Sequence, residues 1–136
     1  MTRRTRLGIE VLEDRLAPAG LPNIVFIMTD DQDVGTMPYM PRVQELLADR
    51  GVTFENSFVT SPICAPANAT ALTGQYTFNH GVLNNVYPTG GFQTFTEAGG
   101  EEATLATWLD DAGYHTARVG KYLVGYPDGS TYVPPG

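Results

Sequence analysis

Three short segments carry side chains that could do chemistry. Asp30 and Asp31 stand side by side after an apolar run. Adjacent carboxylates repel one another unless a cation offsets them, and oxygen-rich ligation suits a hard divalent ion such as calcium or magnesium. Cys64 lies in Pro62-Ile63-Cys64-Ala65-Pro66, just ahead of a predicted helix. A thiol there sits in the positive field of the helix N-terminus, which favours bound anions. Gly120-Lys121 follows a predicted strand, and an ammonium there could hold an anionic group. Each segment alone has an ordinary alternative. The acid pair can be a solvated turn, a lone cysteine a small buried hydrophobe, and a lysine a surface charge.

The elements expected to position these residues alternate between strand and helix. Residues 23–28 are a continuous β-branched-rich apolar run, as in a strand buried on both faces of a parallel sheet. Asp30 and Asp31 then fall at its C-terminal end, where open α/β sheets bind ligands. Met40–Arg50 reads as a helix with Pro41 in its first turn, an apolar face of Val43, Leu46 and Leu47, and Gly51 as its stop. Residues 52–59 read as a second strand and 60–66 as a loop. Ala67–Thr73 reads as a short helix with Pro66 in its first turn, ending at Gly74. Residues 75–103 hold little periodicity and read as a long functional loop. Thr104–Ala112 is a helix with Leu105, Trp108, Leu109 and Ala112 on one face, and 115–119 is a third strand. This order is that of the α/β class.

The composition excludes some functions. From Leu21 onward the chain holds 12 acids and 4 bases. Such a body lacks the basic footprint of a nucleic-acid binder, and any anionic substrate must be attracted by local charges or a metal. No apolar run is long enough to span a membrane. One cysteine permits no internal disulfide. Residues 1–20 carry four of the eight basic residues and are expected to be a disordered leader or export-type tag. Glu10, Glu13 and Asp14 interrupt any secretory apolar core.

The segments, taken in order, resemble the sulfatase family of the alkaline-phosphatase-like superfamily. The family's opening is similar to Pro22-Asn23-Ile24-Val25-Phe26-Ile27-Met28-Thr29-Asp30-Asp31-Gln32. Its C-x-P-S-R and A-x-L-T-G signature is matched by Cys64-Ala65-Pro66-Ala67-Asn68 and Ala71-Leu72-Thr73-Gly74. Its later block resembles Ala112-Gly113-Tyr114-His115-Thr116 and Gly120-Lys121-Tyr122-Leu123. Asp30 to Val34, Asn79-His80-Gly81-Val82 with Asn84-Asn85, Gly120 to Leu123, and Tyr132 to Gly136 are similar to the branch that acts on 6-sulfated glucosamine. That branch comprises N-acetylglucosamine-6-sulfatases and heparan 6-O-endosulfatases.

The resemblance implies a partial alkaline-phosphatase-like sandwich over 21–136: a mostly parallel sheet flanked by helices, incomplete at the C-terminus. It implies a sulfuric ester hydrolase acting on a sulfated carbohydrate of the glycosaminoglycan kind, exported to the periplasm, surface or exterior. Cys64 would be oxidised to formylglycine by the formylglycine-generating enzyme and would join Asp30 and Asp31 as calcium ligands. Lys121 would bind sulfate oxygens and support catalysis, with His80 and Asn84 as further substrate contacts. The remaining metal ligands, an Asp-Asn pair, would lie beyond position 136, so the chain is expected to be an N-terminal part without activity alone.

One departure bears on these roles. The signature arginine is replaced by Asn68, and an amide has neither the fixed charge nor the forked donors of a guanidinium. Two alternatives follow: a non-catalytic relic or glycan-binding pseudo-enzyme, and a phosphoester or phosphonate hydrolase on the same metal scaffold.

Overall fold

The computed structural model describes residues 21–127 and 131–136. The expected leader, residues 1–20, lies outside the described residues.

The helices form largely where the apolar spacing predicts. Asp33 caps a short 3-10 turn, Val34–Tyr39, its Oδ1 accepting from the Gly35 amide. Helix α1, Pro41–Val43, opens on proline and runs into a wider π turn at Gln44–Ala48. Helix α2, Cys64–Thr73, ends on Gly74 at φ 67°, a left-handed conformation that glycine adopts without a Cβ clash. It begins three residues earlier than expected, so Cys64 occupies its first turn. Helix α5, Leu105–Asp111, is closed by a capping box in which Thr104 and Thr107 exchange hydrogen bonds.

Residues 75–103 are not the long loop expected. They contain α3, Thr77–His80, then α4, Gly91–Glu97, and a 3-10 turn, Gly100–Glu102. These helices are too short for a periodic pattern to emerge, since α3 has 4 residues and α4 has 7. Only the Phe92 and Phe95 pair, at i and i+3, marks α4.

The three segments expected as strands, 23–28, 52–59 and 115–119, form no ladder among the described residues. The one bridge, parallel between Asn84 and Gly90, is isolated and lies elsewhere. A strand exists only through partners for its backbone groups, and these segments leave their apolar side chains uncovered. Val25 is 81% exposed, Phe58 88% and Val119 99%. The sheet of the α/β sandwich therefore stays an expectation that rests on the resemblance.

The core lies where α2, α4 and the turn at 122–126 meet. Ala65 and Ala69 of α2, Val82, Phe95 and Leu123 are buried, with Leu72, Phe92, Tyr122 and Val124 packed against them. Burying Val82 and Phe95 contributes about 1.5–3 kcal/mol each. The Phe92 ring meets Tyr126 and Tyr132 edge-on, at centroid distances of 5.2 and 5.8 Å. The buried Glu101 carboxylate accepts from the hydroxyls of Tyr122, Tyr132 and Thr96. These contacts hold residues 121–126 against α4, and so fix Lys121 relative to α2.

Candidate functional site

Asp30 ends the first apolar run, and Asp31 follows with φ 53°. In an extended chain, adjacent side chains point to opposite faces. The left-handed residue breaks that alternation, at a cost of roughly 1–2 kcal/mol that aspartate tolerates better than most residues. Asp33 and Gln32 hold the chain beyond it, Gln32 donating to Thr36 Oγ1 at 3.2 Å. One ligand atom from each of Asp30, Asp31 and Cys64 lies within 4.8 Å of the others.

Cys64 is brought there by α2. Its preceding residue, Ile63, has no side chain able to cap the helix. Asn85 takes over, its Oδ1 accepting from the Ala65 amide at 2.8 Å. Asn68 sits one turn on, buried, its Nδ2 donating to the Cys64 carbonyl at 3.0 Å.

Lys121 Nζ donates to Asp30 Oδ2 at 2.6 Å. That hydrogen bond holds the Asp30 carboxyl below its ordinary range, opposed by partial desolvation and assisted by the Lys121 charge and by Cys64. The same bond raises the Lys121 pKa. Both side chains are nearly half exposed, so the pair is screened by solvent.

Arg118 joins from the segment just before Lys121. Its Nη2 donates to Asn68 Oδ1 at 3.1 Å and to the Lys121 carbonyl at 2.7 Å. Its guanidinium carbon lies 4.8 Å from the Tyr122 ring centroid, a cation–π contact. Partial desolvation lowers its pKa, offset in part by Tyr122. Asp30, Asn68, Arg118, Lys121 and Tyr122 line one open cavity of about 1030 Å³.

The sequence candidates are thus divided. Asp30, Asp31, Cys64, Asn68 and Lys121 converge. His80 is buried on α3 with both ring nitrogens engaged. Nδ1 accepts from the Val82 amide at 3.1 Å, so Nε2 carries the proton and donates to Thr70 Oγ1 at 3.1 Å. Asn84 braces the 82–90 turn, its Nδ2 donating to Thr89 Oγ1 and its Oδ1 accepting from the Val86 amide. Arg118 and Asn85 are the site residues that the sequence candidates omit. A lone arginine in an apolar segment, and an asparagine twenty residues from the helix it caps, leave no local signal.

The two carboxylates fit a hard divalent cation in kind, whereas the Cys64 thiol is a soft donor and would fit only once converted to an oxygen-bearing side chain. Two carboxylates and the residue at position 64 offer three donors, where calcium takes 6–8 oxygens.

Comparisons with known proteins identify the family. The Sulfatase family model matches residues 22–133. An extracellular sulfatase SULF-1 homolog of Drosophila melanogaster is 44% identical over 117 residues, 85% of this chain and 10% of that protein. The N-acetylglucosamine-6-sulfatase of Homo sapiens is 37% identical over 125 residues, 85% of this chain and 22% of that protein. An arylsulfatase of Volvox carteri is 38% identical over 109 residues, 77% of this chain and 17% of that protein. The chain therefore spans less than a quarter of the length of these relatives. No solved structure matches. With the family model covering residues 22–133, most of the chain, this chain belongs to the sulfatase family.

Proposed function

We propose that this chain carries the nucleophile and part of the metal site of a sulfuric ester hydrolase acting on 6-sulfated glucosamine in sulfated glycans. The observation that carries this reading is the meeting of Asp30, Asp31 and Cys64, with Lys121 on Asp30. These groups come from three distant parts of the chain, which argues against a chance surface cluster. Asp30, Asp31 and residue 64 would hold calcium, which when bound would neutralise the acid pair and activate a nucleophile at position 64. Cys64 would be matured to formylglycine by its generating enzyme, and Lys121 would bind sulfate oxygens. The names of two relatives, an extracellular sulfatase SULF-1 homolog and an N-acetylglucosamine-6-sulfatase, support the preference for 6-sulfated glucosamine and an extracellular setting. Among the described residues no helix is long and apolar enough to cross a membrane. The alkaline-phosphatase-like sandwich is proposed on the same grounds, and the uncovered apolar faces at 23–28 and 52–59 suit a sheet that is packed on both sides.

Mass spectrometry of the Cys64 peptide, with sulfate release from glucosamine 6-sulfate and an aryl sulfate by a full-length version, tests the proposal. Formylglycine at position 64 and sulfate release support it, whereas preferential cleavage of the matching phosphate ester would favour the phosphoester hydrolase. One observation favours a pseudo-enzyme instead. Asn68 is buried and spends its amide on the Cys64 carbonyl and Arg118, so it offers the site no charge. An unmodified thiol at position 64 would decide for that alternative.

A further inference from the structure

The two basic residues that line the cavity are held in different ways. Lys121 is ion-paired with Asp30. Arg118 meets no carboxylate among the described residues. Its partners are the neutral oxygens of Asn68 and Lys121 and the face of Tyr122. A guanidinium clamped by neutral acceptors keeps its full positive charge for another anion, and it cannot escape that charge by deprotonation. The clamp uses only Nη2, so the Nη1 and Nε donors of the fork make no hydrogen bond among the described residues. The body around it carries 12 acids from Leu21 onward. An uncompensated cation held in place there is what an anionic substrate would need against the repulsive field.

We propose that Arg118 is a second anion-binding cation of this cavity beside Lys121, and that Asn68 is its docking point. The guanidinium that the signature would place at position 68 is thus supplied from position 118, through the Asn68 side chain. This inference rests on the reading of the cavity as a sulfate-ester site. Asn68 acts as a positioning residue, since it touches both the Cys64 carbonyl and the Arg118 fork. Arg118 would contact the anion itself.

The test is calorimetric titration of the protein with inorganic sulfate, with thermal melts of each variant as a folding control. Arg118→Gln keeps an N–H donor for Asn68 but removes the charge, and it should weaken sulfate binding by about tenfold, the scale of one hydrogen bond to a charged group. Arg118→Lys keeps the charge and should retain most of the affinity. The exchange Asn68→Arg with Arg118→Gln should restore binding lost in the single variant, which a merely structural role of Arg118 would not allow. If the wild type binds sulfate and Arg118→Gln binds it equally, or if Arg118→Lys loses as much as Arg118→Gln, this inference is overturned and the sulfatase reading stands. Absence of sulfate binding by the folded wild type would overturn this inference, while formylglycine at position 64 would keep the sulfatase reading standing.

Discussion

Lys121 and Asp30 lie 91 positions apart in the chain, yet their side chains meet at 2.6 Å. The pair occupies one oxygen of a carboxylate that also belongs to the candidate metal cluster with Asp31 and Cys64. An ammonium and a divalent cation compete for the same charge there. Replacing Lys121 by Met should therefore tighten calcium binding by a small factor and weaken sulfate binding. Calcium titration of the two proteins checks this, and the difference should shrink as salt is added. Equal or weaker calcium affinity in the variant would show that the lysine does not compete.

Asn85 caps α2 from twenty residues away. Asn85→Ala leaves an amide of the first turn without its acceptor and should cost about 0.5–2 kcal/mol. The turn that presents Asn85 depends on a close approach at Gly90, where a Cβ would lie 1.8 Å from the Asn84 carbonyl oxygen. Gly90→Ala should thus melt at a lower temperature than Asn85→Ala, because backbone must move and not just a cap be lost. A Gly90→Ala protein as stable as the wild type would mean the turn is not held closed.

His80 should make stability depend on mildly acidic pH. Burial places its pKa below the ordinary 6.5. The unfolded chain then binds a proton that the folded chain does not, between the folded pKa and 6.5. The stability from neutral His80 is full above pH 6.5 and is lost as pH falls through the folded pKa. Denaturant unfolding across that range should show the decline in the wild type. His80→Ala should be less stable near neutrality by about 1–3 kcal/mol, since Val82 N–H loses its acceptor, and its stability should fall less over the same range.

The Glu101 hub should respond at the opposite end of the scale. Burial, and then the nearby Glu101 charge, push the Tyr122 phenol upward, and the hydrogen bond to Glu101 pushes Tyr132 up to about 12. Raised pKa values mean that the folded chain keeps protons the unfolded chain has lost. Their contribution is full below the ordinary value of 10.0 and disappears as pH rises through the folded values. Tyrosinate absorbance should therefore report two late-ionising phenols, and Glu101→Gln should bring both transitions to lower pH. Unshifted transitions in Glu101→Gln would remove Glu101 as their cause.

The sequence by itself determined the family and most of the site. Asp30-Asp31, the Cys64 to Gly74 signature and Gly120-Lys121 occur in order, and their chemistry is a property of residue types and local spacing. The start of α1 at Pro41, the stop of α2 at Gly74 and both ends of α5 were legible for the same reason, since caps, prolines and terminal glycines act within one turn, whereas α2 starts three residues early and α1 gives way to a π turn after Val43. The strands were legible only as apolar runs. Whether such a run pairs depends on distant backbone, and in the described residues 23–28, 52–59 and 115–119 do not pair. The short helices inside 75–103 are set by contacts of Phe95, Val82 and Leu123 across the core, which no window of sequence contains. Only the tertiary structure decided that Arg118 docks on Asn68, that Asn85 caps α2, and that His80 spends both nitrogens inside the fold. Each is a hydrogen bond between residues at least two positions apart whose partner is chosen by packing geometry, and spacing along the chain cannot encode that choice.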